Sequence, residues 1–253
     1  MPELAGKAAI VTGASRGIGA ATARELARNG VSVILAARSG EAIARIATEI
    51  SANGGMAEAV TCDVSRWEDV AAAVSCCREK FGRLDILVNN ASVIEPIARL
   101  GDSDPADWSK AVDINFKGVY YGLRAVVPVM EAAGSGVIVN ISSGAATGAM
   151  EGWSQYCSTK AAVLSLTRCA DLEYRSSGIR VVGLSPGTVA TDMQVAIKAS
   201  GINPVSKLDW EAHIPPEWPA RAVAWLCTEA ARAHDGTDFS IKTEEGRRAV
   251  GLA

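Results

Sequence analysis

The chain has 253 residues, 49% of them hydrophobic, and its 25 lysines and arginines against 28 aspartates and glutamates leave a net charge of -3. This length and apolar content fit one large α/β domain, and the charge balance excludes the clustered basic surface of a nucleic-acid-binding protein. Apolar runs fall short of the roughly 20 residues that a membrane span needs, and the N-terminus lacks signal-peptide features. We expect a soluble, cytoplasmic protein that binds neither membrane nor nucleic acid.

Seven apolar runs of strand length alternate with amphipathic runs of helix length. Strands are predicted at residues 8–13, 31–37, 56–64, 84–91, 136–143, 179–187 and 237–241. Helices are predicted at residues 17–29, 40–53, 66–81, 105–132, 154–177 and 216–231. Continuous apolar strands indicate a sheet covered on both faces, and their alternation with helices indicates parallel strands. We predict one α/β domain over residues 1–253, a doubly wound parallel sheet with helices on both faces.

Residues 192–215 interrupt this alternation. They contain two glycine or asparagine positions and two prolines, and they show no sustained helical or strand period. A long irregular segment in a compact domain is typical of a lid or binding loop. We therefore expect this segment to cover a substrate.

The cysteines and histidines argue against disulfides and against a metal centre. Cys76 and Cys77 are adjacent, no Cys-x-x-Cys pair occurs, and His213 and His234 are far from any cysteine pair. Reduced, mostly buried cysteines are the expected state in an intracellular chain of this length. We predict no metal site.

A glycine-rich turn lies between the first strand and the first helix. The stretch VTGASRGIG places Gly13, Gly17 and Gly19 there, in G-x-x-x-G-x-G spacing. Glycines let backbone N–H groups approach a pyrophosphate, and the following helix dipole favours the anion. Because the turn follows a buried strand and opens a helix, it predicts a Rossmann-type dinucleotide site.

The residues after the second strand predict which dinucleotide binds. An NAD site usually offers an acid to the ribose 2′-hydroxyl there, whereas an NADP site offers an arginine to the 2′-phosphate. Here Arg38 follows the strand, Glu41 lies three residues beyond it, and Arg16 in the glycine turn supplies a second guanidinium. Since guanidinium groups bind phosphate in a bidentate manner, we predict NADP(H); two solvated surface arginines are the alternative.

Seven short motifs occur together, in one order and spacing: TGASRGIG (12–19), CDV (62–64), NNAS (89–92), DINFKGVY (113–120), NISS (140–143), YCSTK (156–160) and SPGTVATDM (185–193). With them the chain resembles the short-chain dehydrogenase/reductase family over about residues 6–192, and in particular its 3-oxoacyl-[acyl-carrier-protein] reductase-like members. The resemblance implies a Rossmann-type fold and oxidoreductase activity.

The resemblance also implies a Ser–Tyr–Lys triad extended by an asparagine. Tyr156 and Lys160 take the Tyr-x-x-x-Lys positions, and Ser143 stands thirteen positions before the tyrosine, with Ser142 expected to point away from the substrate. Residues four apart share a helix face, so we expect the Lys160 ammonium to lower the pKa of Tyr156 and make it a general acid or base. The resemblance gives Asn115 a water that links Lys160 to solvent; a buried amide that satisfies backbone groups is the alternative.

The same resemblance implies the residues around the two ligands. The cofactor-binding set is Gly13, Ser15, Arg16, Gly17, Ile18, Gly19, Arg38, Asp63, Val64, Asn90, Ala91, Tyr156, Lys160, Pro186, Gly187, Val189 and Thr191. The substrate pocket is predicted at Val93, Ile94, Trp153 and Met193, which Trp210 and Trp218 could join. These side chains favour a small ketone or alcohol of apolar character.

Two places depart from the family pattern. Ser92 stands where the family usually has glycine, and the C-terminal DFSIKTEEGRRAVGLA lacks the common glycine pair after the last strand. The second departure weakens the expectation that the C-terminus contributes to the substrate pocket or to tetramer contacts. The long helices at 105–132 and 154–177 still suit a helical interface, so we expect a homodimer or homotetramer.

The expected activity is the NADP(H)-dependent interconversion of a carbonyl group and a secondary alcohol by hydride transfer. A 3-oxoacyl thioester or a general ketone is the expected substrate. The alternative is a non-enzymatic NADP-binding or sensing protein that retains the fold. The presence of both Tyr156 and Lys160 favours the enzyme.

Overall fold

The computed structural model of the protein describes residues 1–252 and is built around one parallel sheet. Seven strands are hydrogen-bonded in the order β3-β2-β1-β4-β5-β6-β7, and all six neighbouring pairs are parallel. The strands are β1 Ala8–Thr12, β2 Ser32–Ala37, β3 Ala57–Thr61, β4 Ile86–Asn89, β5 Gly136–Ile141, β6 Ile179–Ser185 and β7 Asp238–Ser240. The predicted α/β fold class is confirmed.

Helices cover both faces of the sheet. They are α1 Gly17–Arg28, α2 Gly40–Ala52, α3 Trp67–Phe81, α4 Pro105–Val112, α5 Gly118–Ala133, α6 Ser154–Tyr174, α7 Asp192–Ser200, α8 Glu217–Leu226 and α9 Glu244–Ala249. One apolar core packs α1, α2 and α8 on one face, and a second packs α3, α5 and α6 on the other. In β1, Ala9 and Val11 enter the first core while Ala8 and Ile10 enter the second. Successive side chains of a strand point to opposite faces, which explains why these strands are apolar throughout.

The structure corrects the predicted elements in three places. Residues 192–200 form the helix α7, so the prediction of an irregular segment was wrong there; Asp192 in its first turn and Gly201 at its C-cap, with φ +63°, are ordinary helix-end signals. Only the remainder, 201–215, is irregular apart from short 3-10 turns. The helix predicted at 105–132 contains a π-helical turn over Asp113–Lys117, and the helix predicted at 216–231 ends at Leu226.

Three further findings concern the membrane, the cysteines and metal ions. No helix within residues 1–252 is both long enough and apolar enough to cross a membrane. All six cysteines are free thiols. Over the same range, no group of three or more His, Cys, Asp or Glu side chains is arranged to hold a metal ion.

Candidate active site

One large cavity, of about 1430 Å³, opens where the parallel strands end. Its walls include the residues that follow β1, β2, β4, β5 and β6, namely Gly13, Arg38, Asn90, Ser142 and Pro186. Ligands of doubly wound sheets bind at the carboxyl ends of the strands. The volume exceeds the roughly 300–1,000 Å³ of an ordinary small-molecule pocket, so it can accept a dinucleotide together with a small second ligand.

The glycine turn fits a bound dinucleotide. Gly13 and Gly17 have φ +64° and +53°, a region that side chains other than glycine rarely adopt. A Cβ on Gly13 would lie 2.8 Å from the Cα of Ala91, and the Asn90 amide donates to the Thr12 carbonyl at 2.8 Å and more weakly to that of Gly13 at 3.2 Å. The turn is thus held close to β4, and its glycines carry no side chains on the side that faces the cavity. This leaves the backbone N–H groups accessible to a pyrophosphate.

The cavity brings together nearly all the residues predicted from the sequence. From the cofactor set it includes Gly13, Ser15, Arg16, Gly17, Ile18, Arg38, Asp63, Val64, Asn90, Ala91, Tyr156, Lys160, Pro186, Gly187, Val189 and Thr191. Gly19 is outside the lining because it packs against Gly13 and Asn90, with no space for a side chain. It therefore sets the distance between α1 and the sheet.

The predicted substrate residues lie in the same cavity. Val93, Ile94, Trp153 and Met193 line it. Trp210 and Trp218 do not: Trp210 is exposed and packs edge-on against His213, and Trp218 packs against the core that contains α1 and α8. The tertiary position of their segments turns both rings away from the cavity.

Tyr156, Lys160 and Ser143 meet in this cavity. The Lys160 ammonium lies 5.5 Å from the centroid of the Tyr156 ring and donates a hydrogen bond to the Ile141 carbonyl at 2.7 Å. The Ser143 hydroxyl accepts from the backbone N–H of Ala145 at 3.2 Å. The Tyr-x-x-x-Lys spacing on α6 therefore places the two groups side by side, at the end of β5 where Ser143 lies.

Burial decides the proton affinities of this pair. It raises the pKa of Tyr156 to about 12, against a smaller lowering by a hydrogen bond with Ser143. Burial also lowers the pKa of Lys160 to about 8, against a smaller rise caused by Asp238. The expectation of a lowered Tyr156 pKa was therefore wrong for this structure, because removing the phenolate from water outweighs the hydrogen bond with Ser143, and Lys160 is not among the causes of the shift.

Asn115 lies behind the triad, outside the cavity lining. Its side-chain oxygen accepts from the Val93 N–H at 2.8 Å and from the Ser92 hydroxyl at 3.0 Å. Its amide nitrogen donates to the Val93 carbonyl at 2.8 Å and to the Thr159 hydroxyl at 3.4 Å. The side chain is fully occupied by these groups, so it has no polar atom left for a water that serves Lys160. Ser92, the departure from the family glycine, is one of its partners.

Asp238 and Lys242 also belong to the site, although they were not predicted from the sequence. The Ser142 hydroxyl donates to Asp238 Oδ2 at 3.0 Å. Burial, partly offset by the Ser142 hydrogen bond, raises the pKa of Asp238 to about 6. Lys242 lines the cavity directly. The C-terminal part of the chain therefore does reach the site, and no local motif signals it because both residues follow a short strand with ordinary polar neighbours.

The two arginines predicted to read the cofactor differ in their surroundings. Arg16 forms an ion pair with Asp192 at 2.9 Å, with both side chains largely exposed. Arg38 lines the cavity and forms no ion pair with any residue from 1 to 252. An adjoining cavity of about 470 Å³ is lined by Arg16, Arg24 and Arg45 and by Glu49 and Glu217. Arg24 is paired with Glu49, so Arg38 and Arg45 are the cations of this end that form no ion pair in the described chain.

Comparisons with known proteins match this architecture. A family model described as "short chain dehydrogenase" matches residues 7–200. A 3-oxoacyl-[acyl-carrier-protein] reductase of Synechocystis sp. is 35% identical over 95% of this chain and 97% of its own. A cis-4-hydroxycyclohexanecarboxylate dehydrogenase of Sinomonas cyclohexanicum is 37% identical over 89% and 90%. The crystal structure of a Brucella melitensis 3-ketoacyl-(acyl-carrier-protein) reductase complexed with NADH superposes with a TM-score of 0.83 at 30% identity, covering 94% of this chain and 97% of that one.

Proposed function

The chain belongs to the short-chain dehydrogenase family and is an oxidoreductase, and from this premise we propose that it uses NADP(H) to interconvert a ketone and a secondary alcohol. The observation that carries the proposal is the buried Tyr156 phenol beside the Lys160 ammonium, in the cavity that the glycine turn also lines. Hydride transfer to a carbonyl needs a general acid, a positive charge that stabilises its conjugate base, and a site for the dinucleotide. Tyr156, Lys160 and the glycine turn can supply these three parts.

Each side chain has a part in the proposed mechanism. A bound nicotinamide cofactor supplies the hydride in reduction and accepts it in oxidation. Tyr156, kept protonated by its pKa of about 12, donates its proton to the carbonyl oxygen as that oxygen becomes an alcohol. Ser143 orients the same oxygen by hydrogen bonding. Lys160 stabilises the phenolate that remains and has donors beyond the one used on Ile141 to hold the nicotinamide ribose.

Asn115 has a positioning part in this proposal. Through its contacts with Ser92 and Val93 it fixes the start of the loop that carries the substrate residues Val93 and Ile94. The segment 192–215 contributes Met193 and Ile197 from α7 to the cavity wall, where they pack in one cluster with Ile94. We propose that this segment acts as a lid over the bound substrate.

The test of the catalytic assignment compares the wild-type enzyme with Tyr156→Phe. NADPH oxidation is followed with cyclohexanone, 4-oxocyclohexanecarboxylate and acetoacetyl-CoA, which represent cyclic ketones and 3-oxoacyl thioesters. We expect the active substrate to lose at least about 100-fold in kcat when the general acid is removed, with NADPH binding retained. Equal rates in both proteins would reject the role of Tyr156. NADPH binding by a wild-type protein that reduces none of the ketones would favour the sensor instead.

The preference for NADP(H) rests on Arg38 and Arg16 and on the absence of an acid directly after β2. The Brucella structure holds NADH, so the preference of this chain needs its own measurement. We expect Arg38→Asp to weaken NADPH binding far more than NADH binding, because the carboxylate repels the 2′-phosphate. Titration of both cofactors checks this, with Arg78→Asp, an exposed position on α3, as the control. An unchanged ratio of the two dissociation constants would mean that Arg38 does not bind the 2′-phosphate.

We also propose that the protein is a homodimer or homotetramer. Tyr120 on α5 and Leu172 on α6 are 47% and 73% exposed, which suits burial of both helices against a second copy. Light scattering after size-exclusion chromatography tests this assembly. A monomer at micromolar concentration would reject it.

A further inference from the structure

Lys242 follows β7 and reaches the catalytic end of the cavity between two glycines. A Cβ on Gly187 would lie 2.9 Å from Lys242 Cγ, and a Cβ on Gly144 would lie 3.9 Å from its ammonium nitrogen. Gly144 directly follows Ser143, and Gly187 belongs to the predicted nicotinamide-binding set. The Lys242 side chain therefore packs over the backbone of Gly187 and Gly144, which have no side chains. Its ammonium group lies beside Gly144, the residue that follows Ser143.

The charge of Lys242 is not neutralised by the protein. Within the described chain, no carboxylate lies within 4.0 Å of its ammonium nitrogen. Asp192, which also lines the cavity, is paired with Arg16, and Glu244 in the next turn is paired with Arg248. A lysine ammonium is a compact charge that binds carboxylates through charge-assisted hydrogen bonds.

The remaining wall at this end is mostly apolar. Tyr156 packs in a small apolar cluster of cavity-lining residues with Ile94, Trp153, Ile197 and Met193. A ligand that filled this space would place an apolar body against the cluster and a polar or charged group against Lys242. The carbonyl would then lie between them, within reach of Ser143 and Tyr156.

We infer that Lys242 selects the substrate, and that the preferred ketone carries a carboxylate on an apolar body. This inference rests on the proposed function, because it uses the cavity in which the ketone is reduced. It adds a recognition residue from the C-terminal part of the chain, where the family glycine pair is missing.

Ligand binding tests the inference without turnover. Calorimetry on the NADP⁺-loaded protein compares cyclohexanecarboxylate with cyclohexanecarboxamide, which has the same shape without the charge. We expect the wild type to bind the carboxylate about tenfold more tightly than the amide, as one charge-assisted contact allows. The preference should disappear in Lys242→Met and remain in Lys242→Arg. Lys207→Met, an exposed lysine outside the cavity lining, should keep it.

Turnover separates this inference from the proposed function. In Lys242→Met, KM for 4-oxocyclohexanecarboxylate should rise about tenfold more than KM for cyclohexanone. A carboxylate preference that persists in Lys242→Met, or that the wild type lacks, overturns the inference but leaves ketone reduction standing. A wild type that reduces neither ketone, yet still binds the carboxylate through Lys242, overturns the proposed function and supports Lys242 as an anion-binding residue.

Discussion

Two buried cations, Arg180 and Lys160, lie at opposite ends of the sheet and have very different partners. Arg180, 6% exposed near the start of β6, donates to both carboxylate oxygens of Asp235 at 2.9 and 3.1 Å. It also donates to the carbonyls of Thr228 at 2.9 Å and Leu226 at 3.3 Å. Lys160, 3% exposed, donates only to the Ile141 carbonyl among residues 1–252.

The two cations differ in how fully the protein satisfies a buried charge: Arg180 is satisfied, whereas Lys160 is left available to a ligand. Burying an ion costs several kcal/mol unless hydrogen bonds and an opposite charge replace the lost water. Arg180 has that replacement in full, whereas Lys160 has little of it, and burial lowers its pKa to about 8. Its neighbour Asp238 shares the condition, since Asp238 Oδ1 is buried without a protein partner in the described chain. Under-satisfied, shifted groups of this kind gather at functional sites.

Removal of Arg180 gives the largest expected loss of stability. Arg180→Met leaves the partly buried Asp235 without its partner, which should lower the free energy of unfolding by about 3 kcal/mol. Urea denaturation measures the change. Arg232→Met, which breaks an exposed pair with Glu229, should lower the free energy of unfolding far less, because solvent screens that pair. If adding Asp235→Leu to Arg180→Met recovers no stability, the uncompensated carboxylate is not the cause.

Removal of Lys160 should have the opposite profile. Lys160→Met is expected to lower kcat about 100-fold or more, because the phenolate loses its stabilising charge. The free energy of unfolding should not fall and is expected to rise, since the folded state no longer has to hold a poorly satisfied ammonium. Steady-state kinetics and denaturation are measured on the same preparation, with the exposed Lys110→Met as control. A loss of stability as large as that of Arg180→Met would contradict the claim that Lys160, unlike Arg180, does not stabilise the fold.

Asp238→Asn should stabilise the protein, and only above a certain pH. The carboxyl has a pKa near 3.8 in the unfolded chain and near 6 in the folded one, so the substitution brings nothing well below pH 3.8, where both states are protonated, and little at pH 4. As the pH rises toward 6 and beyond, the folded state must hold an ion that burial disfavours. There the asparagine should add about 1–2 kcal/mol. Thermal unfolding at pH 4 and pH 8 measures the difference, and exposed Asp102→Asn should show none. A larger gain at pH 4 would reverse the sign argument.

The smallest expected effect is on the pH dependence of ketone reduction. Tyr156 stays protonated up to about pH 12, so the basic limb of kcat/KM should follow Lys160, whose pKa is about 8. Asp238 faces Lys160 from β7 and raises that pKa. Asp238→Asn should therefore move the basic limb to lower pH, while Asp102→Asn leaves it in place. A limb that stays or moves upward would show that Asp238 does not act on Lys160.

Prediction from the sequence succeeded where the signal is local in the chain. Continuous apolar strands alternating with helices predicted the parallel sheet, because each element carries its own pattern. The glycine turn and the pairing of Tyr156 with Lys160 depend on residues within one turn or one helix. The α7 helix was missed because the glycine and prolines that follow it masked a nine-residue pattern.

Only the tertiary structure decided how the charges of the site face one another. Asp238 reaches Ser142 because β7 pairs with β6 at Gly183, where a Cβ would lie 2.8 Å from Asp238 Oδ1. Lys242 reaches Gly144 across an equally bare Gly187. The same packing removes Tyr156 from water and raises its pKa. The sequence alone determined the fold, the cradle and the catalytic pair, whereas burial and non-local contacts, which no short motif records, determined their proton affinities and the charge offered to the substrate.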